Sequence, residues 1–124
     1  MLLEIIKEMR DHHNLRAFIL ADEVVLMIYK ITRNFPKEEV YGLTSQMRRA
    51  GVSVVSNIVE GCARESQTEY CRFLEMGYGS LKELHYQFGL AARLGYLHEL
   101  DVSINELKLI ETEKVLAGLI RKFR

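Results

Sequence analysis

Between residues 43 and 64 the chain is apolar on more than one side yet keeps a narrow polar stripe. Leu43, Met47, Ala50, Val54 and Ile58 recur at helical spacing, and Val52, Val55 and Val59 run beside them as a second apolar row. Between the rows lie Gln46, Arg49, Ser53, Ser56, Asn57 and Glu60, mostly short polar groups suited to close helix contact. The pattern predicts a central helix packed on several sides and ending at Gly61, where a residue without a β-carbon takes a left-handed C-terminal geometry. Of its polar groups, Gln46, Ser53, Asn57 and Glu60 are candidates for a structural polar network or an interface.

Residues 15–34 are denser still, with Arg16, Glu23, Lys30 and Asn34 giving a thin wet edge. Every helix of a single small bundle keeps an outward face, so this apolar excess points to a subunit interface. Phe35-Pro36 ends that helix, since proline disfavours helical geometry at the residue before it. Ser66-Gln67-Thr68-Glu69 fits the capping-box pattern and announces a third helix. Its seam of Leu74, Gly77, Leu81, Leu84, Phe88, Ala91 and Gly95 alternates steps of three and four. Gly77 and Gly79 are expected where a neighbouring backbone comes close, because each costs about 0.8–1 kcal/mol against alanine inside a helix. A fourth helix is expected to be capped by Asp101 or Ser103 and to turn Ile104, Leu107, Ile110, Leu116, Leu119, Ile120 and Phe123 inward. Four helical patterns with short connections predict an all-α, antiparallel up-down-up-down four-helix bundle in one domain, 1–124. Residues 1–14 read as a short amphipathic helix or an arm.

Composition narrows the chemistry. The 17 basic residues equal the 17 acidic ones, so no whole-molecule field draws in nucleic acid or an anionic membrane, and binding of either needs a local patch. No apolar run is long enough to span a bilayer, which excludes a membrane partner of that kind. Cys62, Cys71 and the absence of a signal-peptide pattern suit a reducing cytoplasm. Carboxylate-bridged metal sites in bundles use Glu-x-x-His pairs, and the chain has none; nor does the spacing of its two cysteines fit zinc. Adjacent His12 and His13 would point about 100° apart on a helix and are expected in solvent. Gly77-Tyr78-Gly79-Ser80 lacks the lysine of a phosphate loop. The reading is therefore a protein without catalytic residues, cofactor or metal. Arg48, Arg49, Arg64, Arg72, Arg93, Arg121, Lys122 and Arg124 are the candidate nucleic-acid contacts, with Glu65, Glu69 and Glu75 available to neutralise them.

Several segments carry a resemblance. The run from Phe35 to Ala50 containing Gln46-Met47-Arg48-Arg49-Ala50, then Asn57-Ile58-Val59-Glu60-Gly61, Arg72-Phe73-Leu74 and Gly79-Ser80-Leu81-Lys82-Glu83-Leu84, resemble the bacterial four-helix-bundle proteins encoded in intervening sequences of 23S rRNA genes. A similar fold belongs to the accessory variability protein of diversity-generating retroelements, a pentameric barrel that works with a reverse transcriptase and nucleic acid. The resemblance implies a homo-oligomer, a pentamer, of antiparallel bundles, with RNA or DNA as partner; an adaptor that binds protein alone is the competing class. Where relatives often carry proline in the second helix, this chain has Ser53-Val54-Val55-Ser56, and less of a kink is expected.

Overall fold

The computed structural model describes Met1 and residues 11–124, so the helix or arm expected at 1–14 falls largely outside the described residues. Among these, four α-helices run α1 (Arg16–Thr32), α2 (Leu43–Cys62), α3 (Gln67–Arg93) and α4 (Glu99–Phe123). Each packs on its sequence neighbours and α1 closes the ring against α4, with α2 and α3 in the most extensive contact. Short connections force successive helices antiparallel. No helix among the described residues is long and apolar enough to cross a membrane.

One continuous core fills the ring. Ala17, Ala21, Val24 and Ile28 from α1 meet Met47, Val54 and Ile58 from α2, Leu74, Leu81, Leu84 and Phe88 from α3, and Leu109, Leu116 and Ile120 from α4. These rows recur every three or four residues, so each helix turns one stripe inward and the stripes interdigitate. Burying such a leucine or isoleucine side chain stabilises the fold by about 1.5–3 kcal/mol.

Helix ends follow local chemistry. The Ser66 hydroxyl accepts from the Glu69 N–H at 2.9 Å, the capping bond that the sequence announces. At the other end of α3, Gly95 takes φ +79°, while the Gly95 and Tyr96 N–H groups bond the Ala92 and Ala91 carbonyls, a Schellman closure. Gly95 thus leaves the seam and makes the turn. Because the chain reverses at once, α4 starts at Glu99 with His98 at its N-cap, earlier than the Asp101 or Ser103 cap expected. Gly61 does not end α2: the helix runs on to Cys62, and the only positive-φ glycine among the described residues is Gly95. A β-carbon on Gly61 would lie 3.0 Å from the Phe73 Cβ, so what the position requires is room for α3. Gly77 serves the same contact from the other side, 3.3 Å from the Val54 carbonyl and 3.4 Å from the Asn57 Cβ, again measured from a β-carbon built on it. Gly79 meets nothing within 4 Å, so the close approach expected there is absent within the chain.

Helix α4 is rotated relative to expectation in its first half, while Leu116 and Ile120 are buried and Leu119 and Phe123 pack against the core as expected. Its inward row is Leu109, Thr112, Glu113, Leu116 and Ile120, whereas Leu100, Ile104 and Leu107 are 72%, 60% and 68% exposed. Thr112 is satisfied by the Lys108 carbonyl at 2.7 Å. The buried Glu113 carboxylate lies 2.7 Å from His85 Nδ1 and 3.6 Å from Lys82 Nζ, both on α3. Glu113 takes a core position because partners on α3 answer it, and Thr112 because its own helix satisfies the hydroxyl.

Candidate functional site

The eight candidate basic residues fall into groups at different ends of the bundle. Arg64, Arg72, Arg121, Lys122 and Arg124 gather where α2 leads into α3 and α4 ends, and carboxylates answer several of them. Arg64 Nη2 reaches Glu60 at 3.3 Å and its guanidinium covers the Phe73 ring; Arg72 faces Glu69 at 3.7 Å and Arg124 faces Glu75 at 3.7 Å. Exposed pairs of this sort contribute about 0–1 kcal/mol each and lower the local potential. Lys122 lies over the ring of Phe123. Arg93, near the opposite end, donates through Nε to the Gly89 carbonyl and sits 5.8 Å from the Tyr86 ring centroid.

Arg48 and Arg49 have a different setting. They line a groove of about 910 Å³ between α1 and α2, roughly 20 Å along the bundle from Arg64. Arg48 is held on both sides: Nε donates to the Thr32 hydroxyl at 2.9 Å, Nη2 to the Tyr29 carbonyl at 3.4 Å, and the guanidinium stacks 4.6 Å from the Tyr29 ring centroid. Thr32 in turn donates to the Ile28 carbonyl at 2.7 Å, so the arginine rests on a buried hydroxyl. Arg33 and Lys37 join the two arginines in the groove, and among the described residues no carboxylate lines it. Sequence reasoning missed both. The signal was a cation on each side of Phe35-Pro36, a corner that folds back beside α2.

The short polar groups of α2 separate into two settings. Asn57 Nδ2 donates to the Ser53 carbonyl at 2.8 Å and to its hydroxyl at 3.2 Å, and that hydroxyl lies 2.8 Å from the Ser80 hydroxyl on α3. Small side chains at 53, 77 and 80 are what let α2 and α3 approach this closely. Gln46 lines the same α2–α3 seam one step up, with Arg49, Ala50, Ser53, Ser80 and Glu83. Glu60 stands apart, exposed and facing Arg64.

Perturbed titrations lie elsewhere. Glu39 accepts from the Leu43 N–H at 3.0 Å and from the Tyr96 hydroxyl at 2.8 Å, which fastens the α1–α2 corner to the α3–α4 turn. The Leu43 N–H, then the Tyr96 hydroxyl, hold the Glu39 carboxyl below its ordinary range, and the bond to Glu39 pushes the Tyr96 phenol up. Burial, then the Glu75 carboxylate, raises the Cys71 thiol. These shifts mark a structural clasp and an inert thiol; they do not gather in one cleft. Near the start of the described chain, Asp11, His12 and His13 bring potential ligand atoms within 4.8 Å of one another. The two histidine rings lie 4.0 Å apart on a 3₁₀ turn; His13 is exposed as expected, whereas His12 is half-buried against Phe18. His13 Nδ1 is already bonded to Asp11 at 3.0 Å.

A crystal structure of a protein with unknown function from the S23 ribosomal protein family of Bacteroides thetaiotaomicron is similar in fold. Its TM-score is 0.75 at 21% identity, covering 84% of this chain and 97% of that one. No curated protein matches the chain. The 23S rRNA-intervening sequence protein family matches residues 13–118, nearly all of the four-helix ring just described, and the chain belongs to that family.

Proposed function

We propose that the chain is a non-enzymatic, homo-oligomeric helical scaffold whose copies meet through the outward sides of α1 and α4. The observation that carries this reading is the apolar ridge those helices present. Leu26 is 65% exposed on α1, beside Leu100, Ile104 and Leu107 on α4, with Ile19 half-exposed one heptad before Leu26. The pairs Arg16–Glu111 and Glu23–Lys108 fix the antiparallel register of the two helices and bring Leu26 level with the Ile104 turn. Single exposed apolar residues are ordinary, but a ridge of leucine and isoleucine running along two adjacent helices marks a contact surface. A second copy is the occupant favoured by the family resemblance, which implies five.

Because these side chains already lie outside the core, charging them leaves the fold of one chain intact. In the double variant Leu26→Glu/Leu107→Glu, far-UV circular dichroism is expected to stay helical while sedimentation shows a single copy. An unchanged mass in the double variant would overturn the interface. RNA or DNA is the second reading, favoured by the carboxylate-free groove that holds Arg48 and Arg49. A salt titration with structured RNA separates it from a protein-binding adaptor, since phosphate contacts weaken steeply with salt.

A further inference from the structure

We propose that the α1–α2 groove is a phosphate-binding site, built from the first turn of α2 together with Arg33, Lys37, Arg48 and Arg49. Three independent features converge on it. The first is charge: among the described residues four cations and no carboxylate line the groove, in a chain whose net charge is zero and whose other arginine cluster is interleaved with glutamates. Among the described residues Arg33, Lys37 and Arg49 have no ion-pair partner; of the two carboxylates that follow Lys37, Glu38 does not line the groove and Glu39 is committed to Leu43 and Tyr96. Four like charges in one groove repel one another, and an anion relieves that repulsion.

The second is the helix start. Gly42 at the N-cap of α2 supplies no side-chain acceptor, and Glu39 satisfies only the Leu43 N–H. The next two N–H groups, of Thr44 and Ser45, have no intrahelical acceptor, and both residues line the groove. A helix start of this kind presents donors and a positive dipole end to a phosphate.

The third is an orphaned hydroxyl. Thr44 is only 7% exposed, and its Oγ1 is buried with no hydrogen-bond partner. A buried, unpaired hydroxyl is costly in a fold that satisfies the buried Thr32 and Thr112 hydroxyls through carbonyls one turn back. Thr44 lines the groove, and a turn of its side chain toward a phosphate seated against the first turn of α2 gives the hydroxyl its missing acceptor. Arg48, locked by Thr32 and Tyr29, is pre-organised to meet the same oxygens.

The ligand chemistry is a phosphate monoester or diester, from a mononucleotide or from a nucleic-acid backbone; only the second source rests on the RNA or DNA reading above. Binding of inorganic phosphate, adenosine 5′-monophosphate and a single-stranded RNA roughly 10 nucleotides long is to be measured by calorimetry at several salt concentrations. Arg33→Gln/Arg49→Gln is expected to weaken the phosphate-bearing probes about tenfold and to make the RNA salt dependence shallower, while Arg72→Gln/Arg124→Gln at the other end leaves them unchanged. Thr44→Val is expected to weaken binding about threefold while raising Tm, a split that a purely structural role does not produce. If the mononucleotide binds through the groove and RNA does not, the site stands and the nucleic-acid reading fails. If RNA binding is lost in Arg72→Gln/Arg124→Gln but not in the groove variant, the nucleic-acid reading stands and the site falls. Failure of every probe to bind the unsubstituted chain at low salt also overturns the site, and unchanged affinity in Thr44→Val removes the hydroxyl from it.

Discussion

Glu39 shows how one side chain can fasten two distant parts of the chain. Its carboxylate takes the Leu43 N–H and the Tyr96 hydroxyl, and it is held below its ordinary value of 4.5. The unfolded carboxyl therefore binds a proton more readily than the folded one, so stability rises with pH between the two values. The contribution is complete above the ordinary value and is lost as pH falls through the depressed folded value. Glu39→Gln keeps an acceptor for Leu43 but does not titrate, so its Tm is expected to fall less steeply in acid than that of the unsubstituted chain; parallel acid profiles would refute the clasp. Nothing near Glu39 in sequence announces Tyr96, which lies 57 residues on. The Ser66 cap was legible because its whole signal spans four residues. Gly77 was legible for a related reason, as a glycine in a regular seam has few uses other than close approach. Gly79, two positions later and turned outward, has no such neighbour within the chain. The Glu113–His85 pair was not legible, since a buried carboxylate is decided by what the facing helix offers.

At the level of helices the same contrast holds. Helix α3 has one row of large apolar residues and a polar remainder, so its inward face could be read directly, and Leu74, Leu81, Leu84, Phe88 and Ala91 are buried as expected. Helix α4 carries apolar residues on two sides, and the spacing rule accepts either; of the row expected inside, Ile104 and Leu107 are outside, while Leu116 and Ile120 are buried and Leu119 and Phe123 pack against the core. What decides the rotation is tertiary: Glu113 finds His85 and Lys82 inward, and Lys108 and Glu111 reach Glu23 and Arg16 on α1. Leu116→Ala, at a fully buried position, is expected to cost about 2–5 kcal/mol in chemical denaturation. Ile104→Ala is expected to stay within about 0.5 kcal/mol in the isolated chain. Equal losses at the two positions would mean that α4 faces the other way.

For the whole molecule, the apolar ridge of α1 and α4 and the cation-lined α1–α2 groove both border α1, with Arg33 of the groove one heptad beyond Leu26 of the ridge. The surplus was visible in the density of apolar residues from 15 to 34, although the partner ridge on α4 emerges only once the rotation of that helix is known. The groove could not be seen in advance, because Arg33 and Lys37 belong to the corner and Arg48 and Arg49 to a helix, and only the fold sets them side by side. Self-association through the α1–α4 ridge is the claim on which the functional account stands, and the mass of the unsubstituted chain in solution tests it most directly. Sedimentation equilibrium at micromolar concentration is expected to give a multiple of the 14.4 kDa chain mass, five copies if the family resemblance extends to assembly. A single species at 14.4 kDa, folded and stable with its ridge in water, would contradict the account.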